Sequence, residues 1–277
     1  MSGDVGVDMT KAESNLTLEA FDVADLERRF GGLRRLYGDA GYERIRTARV
    51  AVIGVGGVGS WAAEALARSG VAGLTLIDLD HVSESNVNRQ IQAVTATLGQ
   101  SKVQALRERI AGIHPGCIVT NVEEFVDEHN WPSLLVQPVD VVIDACDQVR
   151  AKSTIAAWAM QTGSALVTAG AAGGRRQPQA VQVEDLARVT HDPLLASLRQ
   201  RLRKLHGAPR SGAMGVQCVF SREAGVAPEQ SDEVDGSLNC HGYGSCVGVT
   251  ATFGMVCANL ALESILASLG ARSSFEL

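Results

Sequence analysis

From Arg49 onward, short apolar segments alternate with longer, alanine-rich or amphipathic segments. The short segments are continuously apolar, as strands buried on both faces of a parallel sheet are. The pattern predicts five such strands: RVAVIG (49–54), LTLIDLD (74–80), CIVTNV (117–122), VDVVIDAC (139–146) and ALVTAG (165–170). Helices are predicted between them: SWAAEALARSG (60–70), residues 99–113 and RAKSTIAAWAMQTG (150–163).

The pattern changes after residue 170. Two predicted strands, PQAVQVEDL (178–186) and MGVQCVFS (214–221), flank a basic helix, DPLLASLRQRLRKLHG (192–207), and a final helix covers about 249–269. Strands that alternate with helices of this length indicate a doubly wound, Rossmann-like α/β fold with a mainly parallel sheet. We expect a C-terminal extension of antiparallel strands and a closing helix.

The same pattern suggests how the chain is divided. Residues 1–20 are predicted to be a disordered tail and 21–48 an N-terminal helical segment. Residues 49–170 form the expected nucleotide-binding half, and 171–270 the substrate-binding half of the same domain. A polar stretch at about 222–240 is predicted to be a mobile loop.

Charge and cysteine usage narrow the function. The net charge is −6 over 277 residues, so the surface as a whole is not basic and DNA is not an expected partner. None of the six cysteines forms a C-x-x-C pair, which argues against a zinc ribbon. The polar first twenty residues indicate no secretory signal, and we expect a cytoplasmic protein. The uncharged stretch 242–262 is broken by four glycines, so it predicts a loop and a buried helix rather than a membrane span.

A glycine motif precedes the helix predicted at 60–70. GVGGVG at 54–59 places Gly54, Gly56 and Gly59 in the pattern G-x-G-x-x-G, with Gly57 in addition, between a strand and a helix. Glycines in this context let the backbone approach a phosphate at the helix N-terminus. Asp78 ends the next strand, where an acid accepts hydrogen bonds from ribose. These features alone favour a nicotinamide or flavin enzyme.

Three further residues favour a triphosphate. Arg89 and Lys102 are placed to offset more negative charge than a dinucleotide carries. Asp147 follows a strand at the ligand-binding edge, and such a carboxylate, together with nucleotide phosphates, suits Mg²⁺. The alternatives are that Lys102 is a solvated helix residue and that Asp147 is a helix N-cap.

These motifs carry a resemblance to a known superfamily. GVGGVG, DLDHVSESNVNRQ, the lysine of GQSKVQALRERIAGIHP and DACDQ resemble the ubiquitin-activating-like adenylating enzymes, with Val87 in place of the usual leucine. Within it, RFGG…RLYG, AGAAGG, CVFS and GVTATFG are most similar to the tRNA threonylcarbamoyladenosine dehydratases, over roughly 25–265. The resemblance implies ATP-dependent activation of a carboxylate, followed by ring closure with net loss of water.

The resemblance also implies the site residues. It implies that the glycine motif, Asp78, Asp80, Asn86, Arg89, Gln90 and Lys102 bind ATP and that Asp147 binds Mg²⁺, with Arg89, Lys102 and Asp147 as the catalytic set. An N-terminal arginine enters the site in relatives, sometimes from the partner subunit of a homodimer. Arg29 matches best, although Arg34 and Arg35 remain open.

A tRNA substrate requires a local basic surface. The candidates are Arg175, Arg176, Arg199, Arg201, Arg203 and Lys204. The alternative is a solvated helix face. Cys240 and Cys246 lie where relatives place a nucleophilic cysteine, but ring closure needs no thiol, so neither is assigned a catalytic role.

Two other functions stay open at this point. The first is adenylation of a sulfur-carrier protein, with a sulfur-transfer protein as a further candidate partner, although the zinc cysteines of those relatives are missing. The second is an NAD-sensing or redox module, which Asp78 permits and which Arg89, Lys102 and Asp147 disfavour.

Overall fold

The computed structural model of the chain describes residues 25–226 and 243–273. The predicted tail at 1–20, most of the predicted loop at 222–240, and Cys240 lie outside these ranges.

In the described part of the chain, seven strands form a single sheet. Their bounds are β1 Arg49–Ile53, β2 Gly73–Ile77, β3 Ile118–Val122, β4 Val141–Asp144, β5 Ala165–Ala169, β6 Val181–Asp185 and β7 Gln217–Ser221. The order across the sheet is β3-β2-β1-β4-β5-β7-β6. All neighbouring strands are parallel except β6, which is antiparallel to β7. The predicted doubly wound fold with an antiparallel C-terminal extension is confirmed.

Within residues 25–226 and 243–273, seven α-helices accompany the sheet. Their bounds are α1 Leu26–Phe30, α2 Gly32–Arg46, α3 Gly59–Arg68, α4 Lys102–Ile113, α5 Val149–Thr162, α6 Pro193–Leu205 and α7 Val247–Ser273. Three short 3-10 turns lie at Glu84–Asn86, Thr95–Thr97 and Pro178–Ala180. Every helix predicted from residue 60 onward is present, with ends shifted by a few residues.

The two faces of the sheet bury separate apolar clusters. Along β1, Val50 and Val52 face the cluster that contains α3, α4 and α7, whereas Ala51 and Ile53 face the cluster that contains α5 and α6. Successive side chains of a strand point to opposite faces, so a continuously apolar strand fills both clusters.

The closing helix α7 lies across α3. A Cβ at Gly254 would lie 2.5 Å from the carbonyl oxygen of Val58 and 2.7 Å from Cβ of Trp61, so the two helix backbones are in close contact. The most apolar 18-residue window of Val247–Leu269 has a mean hydropathy of 1.5, high enough for a membrane span by composition, but 56% of that window is buried inside the protein. The prediction of a buried core helix is confirmed for the described residues.

The N-terminal helical segment packs on the core. Its backbone is interrupted at Gly38, whose φ is +71°. Ile45 is fully buried in the same cluster as α3 and α7, and Phe30 and Tyr42 are also buried. Residues 26–46 therefore cover one face of the nucleotide-binding half.

Candidate active site

A cavity of about 620 Å³ follows the carboxyl edge of the sheet. The loops that line it leave β3, β2, β1, β4 and β5, in that spatial order. The cavity therefore extends past five neighbouring strands, a distance of about 19 Å across the sheet. The strand order reverses between β1 and β4, which is where ligands bind in open α/β sheets.

The glycine motif forms the turn between β1 and α3. Gly54 has φ +79°, and a Cβ there would lie 2.9 Å from the backbone nitrogen of Cys146. A Cβ at Gly59 would lie 1.9 Å from the carbonyl oxygen of Gly54, so only glycine permits the close start of α3. Gly56 lines the cavity, and a Cβ there would make only an ordinary van der Waals contact. This arrangement suits backbone contact with a phosphate.

Asp78 lies at the carboxyl end of β2 and is buried. Its Oδ2 accepts a hydrogen bond from the backbone N–H of Val55 at 2.8 Å, and its Oδ1 accepts one from the N–H of Asp80 at 2.9 Å. Burial raises the pKa of Asp78, while the Lys102 charge lowers it. The carboxylate is thus held against the glycine turn, at the position predicted for ribose contact.

Lys102 is buried at the first turn of α4, with only 6% of its surface exposed. Its Nζ lies 2.7 Å from Oδ2 of Asp80, whose own side chain is 54% exposed. The alternative that Lys102 is a solvated helix residue is therefore wrong. Lys102 and Asp80 both line the cavity.

Two predicted polar residues are buried beside the glycine turn. Asn86 accepts a hydrogen bond from the N–H of Ser83 at 3.1 Å. The side-chain nitrogen of Gln92 donates to the carbonyl of Val55 at 2.9 Å and to Oε1 of Gln90 at 3.2 Å. A Cβ at Gly56 would lie 3.8 Å from Nε2 of Gln90. Gln92, which the sequence did not single out, thereby orients the Gln90 amide toward the turn.

Arg89 is half-buried and lies over the glycine turn. A Cβ at Gly57 would lie 3.4 Å from Cδ of Arg89. The indole nitrogen of Trp61 donates to the Arg89 carbonyl at 2.9 Å, which ties the loop to α3. The guanidinium donates to the Ser85 carbonyl and to Oδ1 of Asn88. The arginine is thus held at the cavity by local bonds.

Asp147 lies in the loop between β4 and α5 and lines the cavity. The N-cap of α5 is Gln148, so the alternative that Asp147 caps this helix is wrong. Its half-buried carboxylate has no hydrogen bond or ion pair to a residue in 25–226 or 243–273. Within those ranges, no three His, Cys, Asp or Glu side chains group together as metal ligands. Asp147 therefore suits an Mg²⁺ that takes most of its other ligands from nucleotide phosphates and water.

Beneath this loop lies a buried ion pair that was not predicted from the sequence. Nζ of Lys152 lies 3.1 Å from Oδ2 of Asp144, and both side chains are 0% exposed. It also donates to Oγ1 of Thr168 at 3.1 Å and to the Ala169 carbonyl at 2.7 Å. Burial alone would lower the pKa of Lys152, but the Asp144 charge raises it. The signal in the sequence is a lysine at a core position of α5, in step with Ile155, Ala156 and Ala159.

Arg29 lies away from the cavity within one chain. Its Nη1 donates to the carbonyl of Ile113, the last residue of α4, at 2.7 Å. Lys102 is at the other end of this helix, which is about 18 Å long. Arg34 is bound by Glu27, Asp39 and Glu43 within the N-terminal segment. A role for Arg29 in the site would thus require a second copy of the chain.

The structure contradicts the assignment of Arg175 to tRNA. Arg175 is 3% exposed, and its guanidinium donates to the carbonyls of Ala171 at 2.7 Å, Ser221 at 2.8 Å and His191 at 3.2 Å. It also lies 3.4 Å from Oδ2 of the buried Asp192. These contacts join the ends of β5 and β7, so Arg175 has a structural role. Arg176, in contrast, is exposed.

The basic residues of α6 fall on different sides of the helix. One groove, lined by Ala196, Arg199, Gln200, Arg203, Lys204 and Arg210, collects four of the positive charges. Arg199 is partly committed to the fold, since its Nη1 donates to the carbonyls of Leu186 and Val189 at 2.9 and 2.8 Å. Arg201 lies on the opposite flank, where its Nε is buried without a partner among the described residues. The predicted basic surface is therefore centred on Arg203, Lys204 and Arg210.

Cys246 is the exposed cysteine of the described ranges. Burial raises the pKa of Cys117 to about 11 and that of Cys257 to about 12, so both thiols are unreactive at neutral pH.

Comparison with known proteins agrees with this geometry. The chain matches the model of the ThiF family over residues 29–275. It is 43% identical to the tRNA threonylcarbamoyladenosine dehydratase of Escherichia coli (strain K12) over 252 residues, which cover 87% of this chain and 94% of that protein. A crystal structure of the E. coli enzyme in complex with ATP has a TM-score of 0.82 and 42% identity, covering 90% of this chain and 98% of that one. The similarity to the E. coli molybdopterin-synthase adenylyltransferase, 35% over 131 residues, covers 47% of this chain and 52% of that protein.

Proposed function

The chain belongs to the ThiF family, and on that premise we propose that it is an ATP-dependent enzyme that dehydrates threonylcarbamoyladenosine in the anticodon loop of tRNA. The observation that carries the proposal is one continuous cavity. It joins the glycine turn, Asp78 and Lys102 to Asp147 and then to the loop after β5. A nucleotide and an acceptor carboxylate can thus lie side by side along the same edge. The similarity to tRNA threonylcarbamoyladenosine dehydratases extends over nearly the whole chain, which favours this function over adenylation of a sulfur-carrier protein.

The reaction must overcome the low electrophilicity of a carboxylate. A carboxylate oxygen attacks a phosphorus atom of ATP and forms a mixed anhydride. Pyrophosphate leaves if the α-phosphorus is attacked, and ADP leaves if the γ-phosphorus is attacked. A nucleophile within the threonylcarbamoyl group then attacks the activated carbonyl carbon and closes the ring. The phosphate-bearing group leaves with the former carboxylate oxygen, so the net loss from the tRNA is water.

The residues of this chain mainly position the substrates and neutralise negative charge. The glycine turn orients the phosphates, Asp78 accepts hydrogen bonds from ribose, and Lys102 and Arg89 offset negative charge in a partly water-excluded site. Mg²⁺, for which Asp147 fits as the protein ligand, would supply further charge neutralisation.

We assign two further roles within the same proposal. The groove of Arg199, Arg203, Lys204 and Arg210 binds tRNA phosphates, since phosphate contacts dominate the affinity for nucleic acid. The enzyme is a homodimer in which Arg29 reaches the cavity of the partner subunit. The position of Arg29, far from the cavity of its own chain, supports this arrangement.

Mass spectrometry of tRNA nucleosides tests the proposed function. Incubation of tRNA that contains threonylcarbamoyladenosine with the enzyme, ATP and Mg²⁺ should convert this nucleoside to a product lighter by one water. The matched control omits ATP and should leave the nucleoside intact. Pyrophosphate exchange that depends on a carrier protein, with no change in the tRNA, would instead support the alternative.

A further inference from the structure

The cavity has a direction that follows from the order of the strands. The glycine turn follows β1 and Asp78 follows β2, so a nucleotide that contacts both places its ribose on the β2 side of its phosphates. Its base then extends toward the end of β3, where Phe125 lines the cavity and is 49% exposed. Its phosphates extend toward Asp147, after β4. The loop after β5, residues 170–173, remains for the second substrate.

A second exposed aromatic side chain lies at this other end. Tyr243 lines the cavity and is 48% exposed. A Cβ at Gly174 would lie 2.9 Å from Cδ1 of its ring, so the ring lies against the turn that follows the β5 loop. Aromatic residues make up only 4% of the chain, which makes two exposed rings in one cavity notable.

The backbone that follows Tyr243 is bound to both sides of the cavity. The N–H of Gly174 donates to the carbonyl of Gly244 at 2.7 Å, and Nδ2 of Asn88 donates to the carbonyl of Ser245 at 2.9 Å. The segment that carries Tyr243 is thereby tied both to the β5 turn and to the loop that carries Arg89. A ring held in this way, with half of its surface free, is preorganised to stack on a planar ligand.

We propose that Tyr243 stacks on the purine base of the tRNA nucleoside whose carboxylate is activated. Sequence-tolerant recognition of single-stranded RNA commonly uses bases stacked on aromatic side chains. A base on Tyr243 would direct the substituent of the nucleoside along the cavity toward Asp147 and the phosphates. This inference rests on the proposed function and specifies which part of the cavity receives the RNA.

The test measures two affinities in the full-length protein. The ligands are ATP and an anticodon stem-loop RNA that carries threonylcarbamoyladenosine. Tyr243→Ala should weaken RNA binding about ten- to a hundred-fold, because the loss of one stacked base has about this effect, and should leave the ATP affinity within about twofold. Tyr243→Phe should restore RNA binding, since the ring is retained. Phe125→Ala should show the reverse pattern, with ATP weakened and RNA little changed.

The outcomes separate this inference from the proposed function. Leu36→Ala, at a 69% exposed position outside the residues that line the cavity, is the matched control and should change neither affinity. Unchanged RNA affinity in Tyr243→Ala, or a loss of ATP affinity instead, would overturn the stacking role. Failure of the wild-type enzyme to dehydrate the tRNA would overturn the proposed function itself. Equal thermal stability of the variants verifies that each is folded.

Discussion

Lys102 and Asp80 form an ion pair of 2.7 Å at the edge of the candidate nucleotide site, with the lysine buried and the carboxylate half-exposed. The pair fixes the ammonium group beside the glycine turn before any ligand binds. Asp80 compensates part of the Lys102 charge, so the buried lysine is not left unpaired when no nucleotide is bound. A nucleotide phosphate can then join the pair.

Lys102 should contribute to the binding of the triphosphate of ATP. Lys102→Ala should weaken ATP binding by about 1.5–3 kcal/mol, because a hydrogen bond to a charged group is lost. Isothermal titration calorimetry measures this effect. Adenosine, which has no phosphates, serves as the matched ligand and should bind both proteins equally. An equal loss of binding affinity for adenosine and for ATP would show instead that the substitution damages the fold of the site.

The buried pair of Asp144 and Lys152 should matter for stability. Lys152→Met leaves the Asp144 carboxylate buried without its partner, and the free energy of unfolding should fall by about 3–5 kcal/mol. Urea unfolding measures this loss. The double variant Lys152→Met/Asp144→Leu removes both charges and should recover a large part of it. A double variant less stable than Lys152→Met would contradict the account of the pair.

The groove on α6 should bind RNA through charge. Arg203→Glu/Lys204→Glu should weaken tRNA binding and reduce its salt dependence by about two phosphate contacts, while ATP binding is unchanged. Arg107→Glu, at an exposed position of α4, is the charge-reversal control and should have little effect. If the double variant binds tRNA as tightly as the wild type and the Arg107→Glu control do, the groove is not the RNA surface.

His114 should make stability depend on pH. It is 1% exposed, with Nε2 located 2.9 Å from Nη1 of Arg46, and burial followed by the Arg46 charge lowers its pKa below 6.5. Between the lowered pKa and 6.5, the unfolded chain binds a proton at this residue and the folded chain does not. The free energy of unfolding should therefore fall as the pH falls through this window, by at most about 1.4 kcal/mol per pH unit.

Urea unfolding at pH 7.5 and 5.5 measures this dependence. The difference between the two pH values should be smaller in His114→Gln than in the wild type. His129→Gln, whose side chain is 84% exposed, is the control and should keep the wild-type difference. Equal differences in all three proteins would remove His114 as the cause.

Arg29 should act across a dimer interface. Arg29→Ala and Asp147→Ala should each be inactive alone, but a mixture of the two kinds of subunit should regain about a quarter of the wild-type activity. The reason is that about half of the dimers contain one subunit of each kind, and each of these dimers has one intact site out of two. The activity is measured after co-expression of the two variants, and light scattering determines the mass of the assembly. If Arg29 acted within its own chain, no mixture would recover activity.

The strands and the ligand-binding edge could be predicted from the sequence because each signal is local. A run such as RVAVI is apolar throughout, and the residue that follows a parallel strand must lie at the carboxyl edge. Asp78 and Asp147 follow β2 and β4, and both line the cavity as this rule predicts. Lys102 also lines the cavity, but it begins α4 and follows no strand, so the rule does not place it.

The roles of the arginines could not be predicted in the same way. Arg175 and Arg176 are neighbours in the sequence, yet one is buried and the other exposed. Carbonyl groups of Ser221 and His191, far away along the chain, determine this difference. Lys152 is similar, because its acceptors lie on β4 and β5. The helical spacing in α5 marks Lys152 as buried, but the long-range partners of Lys152 and Arg175 leave no local pattern.

In the proposed reaction, ATP activates the carboxylate of threonylcarbamoyladenosine. The most direct measurement follows ¹⁸O from that carboxylate during a reaction with tRNA, ATP and Mg²⁺. Carboxylate activation predicts that one labelled oxygen appears in the phosphate-containing product, either AMP or inorganic phosphate, as the ring closes. Formation of the ring with the label released only into water would contradict the claim.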